Sequence, residues 1–201
     1  MRRAVFLDRD GVINCNRADH VKTLEEFVLL PGVLAALHLL TVAGVPIGVV
    51  SNQSAVNRGV VSVAAVDAIH RRLICLAEAA GACIEAVLYC PHRPDEACGC
   101  RKPKPGLLVR AASELGIDLA ASHMVGDALC DIGAAVAVGV QPVLVLTGRG
   151  AQQAPLLAAG GLPEVPVFDD LLGAARWLVQ RETRLAEQGV RSREQGVRSR
   201  E

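Results

Sequence analysis

The 201-residue chain is 51% hydrophobic and 21% charged, and its 21 basic residues balance its 21 acidic ones. That apolar content excludes a disordered polymer over most of the length, and the length suits one compact domain plus an extension. Zero formal charge and few aromatic residues (Phe6, Phe27, Tyr89, Phe168, Trp177) argue against nucleic acid as a partner, which needs a basic track and stacking platforms.

At the N-terminus, Arg2 and Arg3 precede an apolar run too short for a signal peptide, which needs about 7–15 apolar residues. Residues 3–7 instead read as a short buried strand running into Asp8-Arg9-Asp10-Gly11. Side chains at i and i+2 of an extended strand share a side, and Gly11 permits a sharp turn that keeps both carboxylates at one site. One carboxylate can attack an electrophile while the other serves a leaving oxygen and then a water. A solvated turn is the plainer reading of the same residues.

Residues 32–43 carry a helical pattern and 45–50 a second strand. The apolar stretch they form is broken by His38, Gly44, Pro46 and Gly48, so it reads as a core helix and strand rather than a membrane span of ~20 residues. The strand ends in Ser51-Asn52-Gln53-Ser54, whose hydroxyls and amides suit either phosphate oxygens or a helix cap. A helix over 62–80 and a strand over 84–89 follow.

Next come Cys90-Pro91-His92 and Cys98-Gly99-Cys100. Three thiolates and an imidazole within eleven residues suit a closed tetrahedral Zn²⁺ site in a reducing compartment better than a disulfide framework. The other cysteines are scattered: Cys15 in a loop, and Cys75, Cys83 and Cys130 as small hydrophobes in apolar or helical stretches. Arg101-Lys102-Pro103-Lys104-Pro105 is a stiff cationic loop ahead of a helix over 106–115, and a lysine there can neutralise a transferring phosphoryl group. A strand over 123–125 ends in Gly126-Asp127 and leads to a helix over 128–138, with Asp131 read as support for the Gly126-Asp127 loop. Strands over 143–146 and 165–168 and a helix over 169–184 complete the pattern. Residues 187–193 recur unchanged as 194–200, each copy holding one apolar residue and a glycine, which rules out a coiled-coil seam.

Strands alternating with helices argue for a Rossmann-like parallel sheet sandwiched by helices, and ligands of such α/β folds bind beyond the carboxyl ends of the strands. The motifs above fall at those ends. Together, Asp8-Arg9-Asp10-Gly11-Val12-Ile13-Asn14, Ser51, Lys102 and Gly126-Asp127 with Asp131 resemble the four motifs of the haloacid dehalogenase-like phosphohydrolase superfamily. The likeness spans about residues 3–180, so 1–180 are expected to form one phosphatase domain and 181–201 a disordered tail. The resemblance implies Asp8 as nucleophile, Asp10 as general acid and base, and Ser51 and Lys102 as stabilisers of the phosphoryl group. It also implies a Mg²⁺ held by the Asp8 carboxylate, the Asp10 backbone carbonyl and Asp127.

Within the superfamily, Cys-Pro-His followed by Cys-x-Cys-Arg-Lys-Pro-x-Pro-Gly is similar to the D-glycero-D-manno-heptose 1,7-bisphosphate 7-phosphatases, and histidinol-phosphate phosphatases carry a related zinc loop. On that likeness Ser51, Asn52, Gln53, Ser54, Arg101 and Lys102 contact substrate, and Cys90, His92, Cys98 and Cys100 hold a structural Zn²⁺ that orders the basic loop. No segment is long enough for a large cap domain. Two positions depart from the likeness: Asn16-Arg17-Ala18-Asp19-His20-Val21 replaces a Gly-Tyr loop, and Ala128 stands where a lysine is usual. The expectation is a cytoplasmic monomer that hydrolyses a small phosphorylated sugar, heptose 1,7-bisphosphate first. Histidinol phosphate or another small monoester is the nearest alternative, and a non-catalytic sugar-phosphate-binding protein is the alternative of another class.

Overall fold

The computed structural model describes residues 2–159 and 164–181, so the expectation for the repetitive tail falls, apart from residue 181, outside the described residues. Six strands form one sheet: β1 (Val5–Leu7), β2 (Ile47–Asn52), β3 (Ala86–Cys90), β4 (His123–Gly126), β5 (Gln141–Val145) and β6 (Val167–Phe168). Every pairing is parallel and the order is β3-β2-β1-β4-β5-β6. The helices are α1 (Val33–Val42), α2 (Val63–Ala79), α3 (Gly106–Leu115), α4 (Leu129–Val136), α5 (Gly150–Ala159) and the helical residues 171–181, here α6.

The sheet is covered on both faces, and the alternation of strand side chains shows how. Val5 and Leu7 of β1, Val49 of β2, and Val143 and Val145 of β5 pack with Leu37 and Leu40 of α1, Leu73 of α2 and Leu178 of α6. Phe6, Val50 and Met124 point the other way, onto Leu107, Leu108 and Ala111 of α3 and Ala134 and Ala135 of α4. Burial on both faces is why the strands read as uniformly apolar runs. At ~25 cal/mol per Å² these two layers supply the main drive to fold.

The expected sandwich is therefore present, with one element more than the sequence pattern showed. Residues 150–159 form α5, which packs on β5. Gly148, Gly150, Pro155 and two adjacent glutamines look like a loop locally, and packing against the sheet overrides that preference. Elsewhere the differences are at ends: α4 stops at Val136 and β6 spans only Val167–Phe168. No helix among the described residues is long and apolar enough to cross a membrane.

The position of β1 sets the site. It lies between β2 and β4, with Leu7 aligned to Val49 on one side and Val125 on the other. The chain therefore leaves β1 and β4 at nearly the same level while β2 runs on to Asn52, and the crossover direction reverses between β1 and β4. That reversal opens a crevice at the carboxyl end of the sheet.

Candidate active site

Asp8 is the first residue past β1, and its N–H donates to Val125 O at 2.9 Å. Its carboxylate meets Lys102, which arrives from the loop between β3 and α3. Lys102 Nζ donates to Asp8 Oδ1 at 2.8 Å and to Val50 O at 2.8 Å, and lies 2.6 Å from Asp131 Oδ1. Lys102 and Asp131 are buried, so the triad is shielded from bulk solvent. Burial works against the lysine's charge, but Asp131 and Asp8 outweigh it and raise its pKa. Asp131 spends its other oxygen on the Ala128 N–H at 3.1 Å, which ties α4 to the β4 exit as the sequence suggested. Burial, opposed by Lys102 and assisted by Asp131, pushes Asp8 up to about 6.

Asp10 is held differently. Arg9, wholly buried, donates from one terminal nitrogen to both Asp10 oxygens at 2.8 Å. Asn14 Nδ2 adds a bond to Oδ1 at 2.9 Å and Gln53 Nε2 one to Oδ2 at 2.6 Å. Burial alone would raise the Asp10 pKa, yet Arg9, Asn14 and Gln53 together hold it below the usual carboxylate value. Behind Arg9 stands His70 of α2, its Nε2 3.3 Å from the guanidinium. Burial first, and the Arg9 charge second, lower His70 to about 3, so it is neutral.

Gln53 was expected to touch substrate. The structure turns it inward: its amide nitrogen donates to Asp10 and to Ser51 Oγ, the latter at 2.8 Å. Ser51 therefore accepts from Gln53 and keeps its own O–H for another partner. Asn52 clamps the lysine loop, its amide donating to Lys102 O and accepting from Lys102 N, each at 3.1 Å. Ser51, Asn52, Ser54, Arg101, Lys102, Asp8 and Asp10 all line one cavity of about 490 Å³, whereas Gln53 forms none of its lining. The 16–21 loop closes one wall through Asn16, Arg17, Ala18 and His20.

Asp127 follows β4 and faces Asp8. A ligand oxygen from each of Asp8, Asp127 and Asp131 lies within 4.8 Å of the others. Its Oδ2 accepts the Arg149 N–H at 2.8 Å, and its Oδ1 is buried with no hydrogen-bond partner. Gly11, at φ +92°, passes so close that a Cβ there would overlap the Asp127 carboxylate, so only glycine allows the approach. Three carboxylates meet Lys102 and, at the long distance of 3.6 Å, Arg149, which leaves negative charge in excess; burial and Asp8 raise the Asp127 pKa against the pull of Arg149. An orphaned buried oxygen in a carboxylate cluster of this charge fits Mg²⁺, which takes one or two carboxylates and leaves other positions to water and phosphate. Asp131 has both oxygens engaged, which leaves Asp8 and Asp127 as the side chains free to hold the ion.

The second candidate centre lies at the end of β3. Cys90 Sγ is 3.4 Å from His92 Nδ1, 3.6 Å from Cys98 Sγ and 3.2 Å from Cys100 Sγ. Cys100 Sγ is 3.4 Å from His92 Nδ1 and 3.6 Å from Cys98 Sγ. A tetrahedron built on zinc–sulfur bonds has edges of about 3.8 Å, so the spacing suits a closed zinc site. Burial drives Cys90 up to about 12, while at Cys98 burial is outweighed by the Arg101 N–H together with hydrogen bonds from Cys100 and Cys90, which bring it down to about 7. That N–H, and the 3.2 Å bond from the Arg101 side chain to His92 O, join the cluster to the basic loop.

Three residues of the site escaped the sequence reading. Arg9 and Asn14 sit inside the first motif, where only the carboxylates drew notice. Arg149 follows β5 and lines the cavity. The rule that drew attention to the other strand ends would have found it.

Comparison with known proteins agrees with this geometry. Residues 99–174 match the HAD-hydrolase-like family model. The chain is 44% identical over 178 residues to the D-glycero-beta-D-manno-heptose-1,7-bisphosphate 7-phosphatase of Pseudomonas putida, covering 88% of this chain and 99% of the relative. It is 42% identical to the Pseudomonas aeruginosa enzyme of the same name, covering 89% and 99%. Its structure resembles that of D,D-heptose 1,7-bisphosphate phosphatase from Bordetella bronchiseptica, complexed with magnesium and phosphate, at a TM-score of 0.83 and 40% identity over 89% of this chain and 99% of that one. With relatives this similar along nearly their whole length, the chain belongs to the D-glycero-beta-D-manno-heptose-1,7-bisphosphate 7-phosphatase family of haloacid dehalogenase-like hydrolases.

Proposed function

We propose that this protein is a Mg²⁺-dependent phosphoric monoester hydrolase that removes the 7-phosphate of D-glycero-D-manno-heptose 1,7-bisphosphate and releases the 1-phosphate. The observation that carries the chemistry is the buried Asp8–Lys102–Asp131 triad clustered with Asp127, with Asp8 and Lys102 lining one cavity. The relatives' shared activity supports the substrate.

Phosphate monoesters hydrolyse so slowly unaided that catalysis must supply accelerations up to ~10²¹-fold, and in a loose transition state most of that comes from positioning and charge neutralisation. Each residue has a part. Asp8 attacks phosphorus through the oxygen not held by Lys102, the bond from phosphorus to the sugar oxygen breaks, and that oxygen leaves with a proton from Asp10. Asp10 then takes a proton from water, which attacks the aspartyl phosphate and returns Asp8. Because Arg9, Asn14 and Gln53 hold Asp10 ionised at rest, Asp10 takes up a proton from solvent as substrate binds, gives it to the sugar oxygen, and is then in the base form the second half-reaction requires. Lys102 neutralises the phosphoryl oxygens, and the free O–H of Ser51 donates to one of them. When bound to Asp8, the Asp10 backbone carbonyl and Asp127, magnesium supplies further charge neutralisation and a template for the phosphoryl oxygens.

The Cys90–His92–Cys98–Cys100 centre does no chemistry in this reading. Zinc held there would fix Arg101, whose side chain bonds His92 O, next to Lys102, whose backbone Asn52 clamps from β2. The test is phosphate release in Mg²⁺ from both anomers of heptose 1,7-bisphosphate, histidinol phosphate, fructose 1,6-bisphosphate and a 3′-phosphorylated oligonucleotide, with Asp8→Asn alongside. Heptose bisphosphate is expected to lead by tenfold or more and Asp8→Asn to be inactive. Another leading substrate overturns the heptose assignment, and an active Asp8→Asn overturns the mechanism.

A further inference from the structure

Four cationic side chains line the cavity, and their existing partners separate them. Lys102 is committed to Asp8 and Asp131. Arg17 donates to Asp19 at 3.1 Å and lies 3.4 Å from Glu26, so two carboxylates already balance it. Arg101 gives one bond to His92 O and faces the cavity with the rest of its fork, as the sequence reading expected of a substrate contact.

Arg149 is the remaining one, and no motif pointed to it. Its backbone N–H is fixed on Asp127 Oδ2, which pins the loop after β5. Its side chain is 51% exposed, and Nε makes a long ion pair with Asp127 Oδ2 at 3.6 Å. The guanidinium lines the cavity, and only its Nε is spent on Asp127, which leaves the terminal nitrogens of the fork without a hydrogen bond among the described residues. Ala128 is buried and takes no part in the lining.

We propose that Arg149 is a specificity-determining residue that grips the phosphate of the substrate that is not hydrolysed. The inference rests on the bisphosphate reading above. The chemistry is that of a planar fork matched to two phosphate oxygens, for which arginine is better suited than lysine. The anchored backbone keeps the loop in place while the side chain reaches, so truncating the side chain spares the Asp127 bond made by the N–H.

The test compares kcat/KM for heptose 1,7-bisphosphate with that for p-nitrophenyl phosphate, which has no second phosphate, in wild type, Arg149→Ala and Arg149→Lys. A second readout is calorimetric binding of the bisphosphate to Asp8→Asn protein with and without Arg149→Ala. The wild-type ratio tests the bisphosphate reading by itself: a ratio near one overturns that reading and this inference with it. Given a wild-type preference, Arg149→Ala is expected to reduce the ratio at least tenfold, chiefly through KM, and to weaken bisphosphate binding at least tenfold. Arg149→Lys should recover only part of each. Equal losses on both substrates, or unchanged bisphosphate binding, overturn the inference while leaving the bisphosphate reading intact.

Discussion

The carboxylate cluster and the cysteine loop are neighbours joined through Arg101 and Lys102, yet different forces hold them. Asp8, Ser51 and Asp127 extend from strands paired in register, with both faces of the sheet packed by helices. The positions of these residues follow from the hydrophobic core. In the cysteine loop only Cys90 is buried, and residues 91–101 are half-buried or exposed around one short turn, Pro94–Glu96. Such a segment has too little apolar surface to offset its own ordering entropy. One part of the active site is thus secured by packing and the other, on the zinc reading proposed above, by metal coordination, so they should fail in different ways.

The largest expected effect comes from Lys102→Ala. It leaves the buried carboxylates of Asp8 and Asp131 facing each other without their cation, and truncating one partner of a buried ion cluster costs ~3–5 kcal/mol. Turnover should fall by at least ~10³-fold, and the urea midpoint should drop, with magnesium recovering part of the stability but not the rate. A midpoint equal to wild type would show that the triad contributes nothing to the fold.

Zinc removal should be milder and more local. Chelation, or Cys98→Ser, is expected to lower kcat/KM by ~10–100-fold, the usual range when the support of an active residue is loosened. Proteolysis should then cut within 91–101 first, while far-ultraviolet circular dichroism stays near its starting value. Full turnover after confirmed zinc loss would separate the loop from the reaction.

The smallest effect on turnover lies away from both regions. His123 begins β4 with its ring edge-on to Trp177, and burial, aided by Arg181 and Arg3, lowers it to about 4. A histidine with a depressed folded pKa contributes stability that is complete above its unfolded pKa of about 6.5 and is lost as pH falls toward the folded value. Between pH 6.5 and 4 the unfolding free energy of wild type should therefore fall more steeply than that of His123→Phe, by ~1.4 kcal/mol per pH unit. Parallel slopes in denaturant titrations would show that His123 is not buried neutral.

The same contrast explains what could be read from the sequence. Positions fixed by the core were legible, because a strand buried on both faces advertises itself as Val-Phe-Leu or Ile-Gly-Val-Val and the residue after it inherits a place. The cysteine ligands were legible because soft donors seldom crowd by chance. Orientation was not legible. Nothing local tells whether Gln53 faces substrate or Asp10, since that depends on Arg9 and Asn14 having filled the other sides of the carboxylate. Helix α5 was hidden because its support is β5 rather than its own residues.

The central place of β1 has a consequence for synthesis. Asp8 is translated well over a hundred residues before β4, the second neighbour of its strand, is complete at Gly126, and Asp127 comes after that. A partly translated chain therefore carries the reactive carboxylate without the groups that activate it. Nascent fragments should be chemically silent, and activity should arise in one step once the second half of the chain is available to close the sheet.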